Sequence, residues 1–245
     1  MKGYGQYCPL ALAAEILSER WTLLVLREII LGARRFNDIQ RGVPRMSPSL
    51  LSLRLKSLKK AGIVERPQGD RNTNGYLLTE AGAELAPLIT GLGAWGKRWL
   101  PATLNRADAD PRLVLWDMHR RLNFPRLPAA RTVVRFSFSD QPKGRRFCWL
   151  LADRHGAELC VTDPGLEVDL FVATDGLSIT RVWYGDLPLK RALADGTIAL
   201  DGPSHLREDF PSWLQLSVLA PVDRWRPLAG RRRNASRFEA PRPIG

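Results

Sequence analysis

Residues 34–85 read RRFNDIQRGVPRMSPSLLSLRLKSLKKAGIVERPQGDRNTNGYLLTEAGAEL, and the order of signals in this stretch decides the fold of the first part of the chain. Phe36, Ile39 and Val43 are spaced by three and four, which turns one apolar stripe of a short helix inward. The turn GVPR (42–45) ends that helix. Ser47 ahead of Pro48 marks a new start, because serine can cap free N–H groups and proline at the first helical position gives up no hydrogen bond. Leu51, Leu55 and Leu58 recur at i, i+4 and i+7 as a buried stripe closed by Ile63. Gly62 is the expected stop, since glycine enters positive φ at little cost. A strand at VERP (64–67), a polar loop from Gln68 to Asn74, a strand at YLL (76–78) and a third helix follow. Short helix, turn, capped helix, strand, wing, strand and helix make a winged helix-turn-helix, an arrangement that lays its second helix in a DNA major groove.

The arc of the capped helix opposite its leucine stripe is read as Ser49, Leu50, Ser52, Leu53, Arg54, Lys56 and Ser57, with no acidic residue. Hydroxyls and cations suit a polyanion: phosphates accept hydrogen bonds and charge, and base edges are read by Arg and Ser. Arg35, Arg45 and Ser47 on the approach to the helix, and Arg66, Arg71, Asn72 and Asn74 in or beside the wing, complete the expected contact set for double-stranded DNA.

Cys8-Pro9, an apolar helix with Trp21 and Leu26, Arg35-Phe36, MSPSLLSLRLKSL (46–58), AGIVER (61–66) and YLLTEAG (76–82) stand in one order along the chain. Over roughly residues 5 to 100 this set resembles the HxlR family of bacterial transcription regulators. The resemblance implies a homodimer whose terminal helices pair, with candidates in Pro9–Leu31 and Thr79–Trp99, and it favours repression. The chain departs from the family at SERW (18–21), where Gly-Lys-Trp is more usual; the change is read as altering a turn only.

Charge divides the 245 residues in the same way. Residues 1–100 are net +7, residues 101–220 are neutral and the last 25 are net +5. The cationic excess therefore lies on the winged helix and the tail, where an electrostatic footprint for nucleic acid belongs. The expected division is 1–104 for DNA binding and dimerisation, 108–222 for a second domain, and 226–245 for a disordered Arg/Pro-rich tail. No run of eighteen apolar residues and no signal-peptide pattern occurs, which predicts a cytoplasmic protein without a membrane partner. Three cysteines without CxxC spacing argue against a disulfide framework or a zinc site.

In the second domain LVLWDMHRRL (113–122) has a helical stripe. TVVRFSF (132–138), RFCWLLA (146–152), AELCVT (157–162) and EVDLFVAT (167–174) read as four strands in meander order, hence an antiparallel sheet. Helices are expected at 175–184, 189–195 and 207–219, with a further strand at TIALD (197–201). The fold class is α+β, helices layered on a sheet. VDLFVATD (168–175), WYGDLPLKRALADG (183–196) and TIALDGP (197–203) resemble the sterol-carrier-protein-like domain, which implies an apolar cavity between sheet and helices. The candidate lining is Phe136, Phe138, Trp149, Leu151, Phe171, Ala173, Trp183 and Trp213, and the expected effector is a hydrophobic small molecule. The competing reading is that these residues are ordinary core.

Catalysis finds no support. His119, His155 and His205 sit in unrelated settings, with no nucleophile or carboxylate at a pairing distance along the chain. No phosphate loop, metal motif or cofactor site is read, and His119 is expected at the surface beside Arg120 and Arg121. Cys8 matches the position that some members of the resembled family use as a redox sensor, and a buried place at the dimer seam competes with that role. Cys148 and Cys160 lie in strands and read as inert. Two functions remain: a dimeric sequence-specific DNA-binding regulator with an effector domain, or a small-molecule carrier whose winged helix makes protein contacts.

Overall fold

The computed structural model describes residues 3–67, 75–100 and 110–224. The wing, the segment 101–109 and the tail lie outside the described residues, and with them Arg71, Asn72 and Asn74.

Helices α1 (Pro9–Leu17), α2 (Thr22–Ile30), α3 (Phe36–Gly42) and α4 (Pro48–Lys60) precede two short antiparallel strands, β1 (Val64–Glu65) and β2 (Leu77–Leu78), and the long α5 (Glu80–Trp99). The signals in the sequence act where they were read. Ser47 accepts a hydrogen bond from the Leu50 N–H at 3.3 Å, with Pro48 in the first turn. Gly62 takes φ +69°, and its N–H donates to Lys59 O while Ile63 N–H reaches back to Leu58 O. That pair of bonds satisfies carbonyls otherwise left open at the end of α4. Leu51, Leu55 and Leu58 are fully buried against Leu26, Ile29, Ile39 and Met46, each such side chain contributing about 1.5–3 kcal/mol. Thr79 caps α5 by accepting from Gly82 N–H, and its hydroxyl donates to Gly62 O at 2.6 Å. A side chain at Gly82 would collide with Ile63 O, so glycine lets α5 lie directly on the strand pair.

The second unit begins with α6 (Pro111–His119), capped by Asp110, whose carboxylate accepts from Arg112 N–H. Strands β3 (Thr132–Phe138), β4 (Phe147–Asp153), β5 (Gly156–Cys160), β6 (Leu170–Thr174) and β7 (Ala199–Asp201) form one sheet in the order β5-β4-β3-β6-β7. Helices α7 (Gly176–Trp183), α8 (Leu189–Ala194) and α9 (Ser204–Trp213) pack with α6 on one face. The expectation of an antiparallel meander holds for β3, β4 and β5 and fails for β6, which returns to the far side of β3 and runs parallel to it. Asp169 fixes that register: Val133 N–H donates to its carboxylate at 2.7 Å, and Asp169 N–H donates to Val133 O at 2.9 Å. The last helix starts earlier and stops sooner than read, leaving 214–219 outside it.

Alternation in the strands sorts the side chains between two layers. Val134, Phe136, Phe138, Cys148, Leu150, Leu170 and Val172 face the helices, whereas Val133, Trp149 and Leu151 form a small cluster on the opposite face.

Candidate nucleic-acid interface and domain junction

The outward surface of α4 carries Ser49, Leu53, Lys56, Ser57, Lys59 and Lys60, all exposed. Ser47 and Ser49 are 3.2 Å apart through their hydroxyls at the N-terminus of the helix, and Ser57 donates back to Leu53 O. Ser52 and Leu50 are half-buried, Leu50 against the head core. Arg35 is exposed at the start of α3, and Arg45 in the turn before α4. Gln40 donates to Met46 O at 2.7 Å and so holds that turn against α3. Arg66 is exposed and lies over the Tyr76 ring, 5.5 Å from its centroid.

Arg54 is a correction. It is buried, at 8% exposure, and its guanidinium pairs with Glu19 at 3.0 Å. Its position, three residues after Leu51 and four before Leu58, already places it inside the leucine stripe. The SERW turn is equally more than a turn. Glu19 reaches α4 from it, Arg20 lies over the Trp21 ring, and Trp21 takes φ +78° as the N-cap of α2. Such a left-handed conformation costs a non-glycine residue about 1–2 kcal/mol.

Sequence reading missed Glu28, which has no exposure at all. Its carboxylate accepts from Arg27 Nε and Nη2 at 2.9 and 2.6 Å, from Arg120 Nη1 at 3.1 Å and from Trp116 Nε1 at 3.3 Å. Arg27 also donates to Gly42 O, and a side chain at Gly42 would overlap the Glu28 carboxylate. One buried anion thus joins α2, the end of α3 and α6 of the second unit. An uncompensated charge there would cost several kcal/mol, which is why three donors converge on it. Burial lifts the neighbouring Asp117 carboxyl above the ordinary range even though Arg120 and Arg27 pull it down. A second tie lies at the end of α5, where Lys97 Nζ donates to the carbonyls of Tyr184, Leu219 and Ala220.

The expected effector lining does not converge. Phe136, Phe138 and Trp213 are 0–1% exposed; Phe136 packs on Phe138 and Phe210, and Phe210 on Trp213, ring centroids 5.6–6.4 Å apart, so these rings lie against one another in the core between sheet and helices. Trp149 and Leu151 point to the opposite sheet face; Arg135 lies over the Phe171 ring, 4.6 Å from its centroid, and Ala173 is exposed. Strand alternation separates these residues, a signal that the register would have supplied. Trp183 borders a different space: a cavity of about 520 Å³ between α2, α5 and the second unit.

Cys8 is exposed at the N-cap of α1, not buried within its own chain. Burial pushes the Cys148 thiol up to about 12, and burial and Glu158 raise that of Cys160. His119 is a further correction. It is 9% exposed and packs at a tilt against the Trp116 ring, centroids 4.5 Å apart, and its Nδ1 donates to Trp116 O at 2.6 Å. Among the described residues no cluster of His, Cys, Asp or Glu could hold a metal ion, and no helix is long and apolar enough to cross a membrane.

Residues 16–104 match the HxlR-like helix-turn-helix. The uncharacterized HTH-type transcriptional regulator YvaP of Bacillus subtilis is 34% identical over 100 residues, which cover 39% of this chain and 92% of YvaP. The chain belongs to the HxlR family. Its head is that of a DNA-binding regulator, and the match ends before the second sheet begins. The uncharacterized HTH-type transcriptional regulator Rv3095 of Mycobacterium tuberculosis is 43% identical over 93 residues, 36% of this chain; the chain spans only 57% of that relative. The HxlR-family chain is also similar to the quinone-bound structure of YodB from B. subtilis, at 33% identity, over 36% of this chain and 96% of YodB, with a TM-score of 0.32. The relatives YvaP and Rv3095 are named as transcriptional regulators, not as enzymes.

Proposed function

We propose that this HxlR-family chain is a sequence-specific DNA-binding transcriptional regulator that acts as a homodimer, without enzymatic activity. One observation carries the reading. On the capped helix α4, Ser49, Lys56, Ser57, Lys59 and Lys60 are exposed together, and the helix itself contributes no acidic residue. Exposed Arg35, Arg45 and Arg66 extend the same chemistry to either side, and the wing residues Arg71, Asn72 and Asn74 would add to it. Ser49 is assigned to the groove, and Lys56 and the flanking arginines to phosphates; Arg54 is assigned to holding α4 in place.

Dimerisation is supported by apolar surface. Leu10 and Leu12 on α1 and Leu88, Leu92, Trp95 and Trp99 on α5 are 49–77% exposed. The four on α5 recur at i, i+4, i+7 and i+11, one stripe along the helix, and an apolar stripe of this kind is normally covered in the working state. Repression is the direction that the family resemblance favours. Residues 1–104 would form the DNA-binding and dimerising head and 108–222 the second domain, whose one-sided layering of helices on five strands supports a sterol-carrier type. Exposed Cys8 ahead of the first helix supports a thiol-based response alongside it.

The test is a mobility shift of the full chain against DNA upstream of its own coding sequence, run over a salt series. The expected result is a shift at least tenfold tighter than on unrelated DNA, with log affinity falling linearly as log salt rises because bound phosphates release counterions. Equal affinity for both DNAs, or binding indifferent to salt, overturns the reading.

A further inference from the structure

The cavity at the domain junction has the composition of a ligand site. Its volume, about 520 Å³, falls in the range of roughly 300–1,000 Å³ usual for small-molecule pockets, which favour domain interfaces and are apolar with a few convergent polar groups. Leu23, Leu31 and Ile89 wall it from the head, and Trp183, Val218 and Leu219 from the second unit. Its polar lining is unevenly charged: Arg20, Arg27, Arg120 and Arg121 against Glu19 and Asp117.

Most of those charges are already committed. Glu19 pairs with Arg54, Asp117 with Arg120, and Arg27 and Arg120 both bind the buried Glu28. Arg121 differs. Its Nε donates to Leu216 O, and among the described residues it has no carboxylate within 4 Å. Its side chain is half-buried at the edge of an apolar chamber, so a monoanion could take a guanidinium contact there while keeping its apolar part out of water.

We propose that this junction binds a small apolar carboxylate, an aliphatic or aromatic monoacid. Its body lies between α2, α5 and Trp183, and its carboxylate meets Arg121. A neutral apolar molecule would leave that arginine unused, and a dianion would bring a second charge against Asp117. Because α2 also carries Glu28 and packs on α3 and α4, a ligand wedged between α2 and the second unit acts on the helix pair that presents the DNA surface. An occupant that prefers one arrangement of the two units shifts the DNA-binding population by its differential affinity. That consequence rests on the function proposed above; the binding site does not.

The experiment uses the full chain with decanoate and decanol as probes, at concentrations below aggregation, followed by calorimetry and tryptophan fluorescence without DNA. Decanoate is expected to bind at least tenfold tighter than decanol and to quench emission, since Trp21 and Trp183 both line the space. Arg121→Gln should bring decanoate down to the affinity of decanol and leave decanol unchanged. Val218→Trp, at a position 48% exposed, should fill the chamber and weaken both probes at least tenfold while the urea transition stays in place. Absence of binding by either probe overturns the site, and equal affinities overturn its charge selectivity. If Val218→Trp instead dissociates the dimer and neither probe binds, the space belongs to a second copy of the chain, and the proposal fails. A separate arm measures DNA affinity with and without decanoate. Binding of decanoate with unchanged DNA affinity removes the regulatory consequence alone, whereas failure of specific DNA binding without any ligand removes the proposed function and leaves the site standing.

Discussion

The indole N–H of Trp116 donates to the carboxylate of Glu28 across 88 positions of sequence, at 3.3 Å. Because Arg120 reaches the same carboxylate, one helical face of the second unit, Trp116 and Arg120, is fastened to a single buried acid of the head. Substitution of Glu28 by Gln keeps an acceptor for Trp116, takes the carboxylate from Arg27 and leaves Arg120 with Asp117 alone. Loss of one partner from a buried ion pair costs about 3–5 kcal/mol, so urea unfolding should show a drop of that order. Glu28→Gln should also separate the unfolding of head and second unit into two transitions. A loss under about 1 kcal/mol would mean that the cluster behaves as a hydrated surface pair.

Arg54 and Lys56 lie two residues apart on α4 and are expected to respond oppositely. Arg54→Ala removes a buried cation held by Glu19 and should lower stability by about 1–3 kcal/mol. Lys56→Ala should leave the melting temperature in place, weaken binding uniformly across DNA sequences and reduce the salt slope by about 1, the signature of one lost phosphate contact. Mobility shifts at three salt concentrations and thermal melts of both variants distinguish the roles.

Cys8 is exposed ahead of Pro9. If its thiol senses oxidants, peroxide should alter DNA affinity reversibly, with recovery on adding dithiothreitol. Cys8→Ser should abolish the response while keeping untreated affinity, because thiolate is the oxidisable form. A response of equal size in the serine variant assigns Cys8 to packing at the dimer seam.

His119 gives the fold an acid sensitivity. Burial, helped by the charge of Arg120, lowers its pKa to about 4, while hydrogen bonding to the helix backbone and Asp38 only partly oppose this. Since the unfolded chain keeps a histidine near its ordinary value of about 6.5, it binds the proton first as the pH falls. Stability from this residue is therefore complete above about pH 6.5 and is lost between about 6.5 and 4, with a slope of at most about 1.4 kcal/mol per pH unit. His119→Phe should flatten that part of the stability profile; an unchanged slope assigns the acid sensitivity to carboxylates.

The head was legible because its signals are local. Ser47, Pro48 and Gly62 act within one helix, and the leucine spacing is a property of the helix alone. Arg54 is the exception on α4: its spacing from Leu51 and Leu58 places it on the buried side, and the Glu19 that receives it comes from a turn 35 residues earlier. The second sheet was legible as five strands and not as a topology. Alternation says which side chains share a face within a strand, but nothing in EVDLFVAT (167–174) states that β6 pairs beside β3 and parallel to it. That pairing hangs on Asp169, a carboxylate meeting a backbone N–H 36 residues away. Without the register, Phe136 and Trp149 looked like partners when they stand on opposite faces of the sheet. Glu28 was invisible for the same reason, since its donors Trp116 and Arg120 come from distant sequence.

Helix α5 is held at both ends. Near its start Gly82 rests on the backbone of Ile63, and near its end Lys97 is gripped by three carbonyls of the second unit. Twenty helical residues make a rod about 30 Å long, so a tilt of about 5° at the Lys97 end would displace the other end by about 2.6 Å. The strand pair that carries the wing sits at that other end. The helix is thus a lever arm, and a rotation too small to disturb the packing around Lys97 would be magnified into a shift comparable to the rise of one base-pair step.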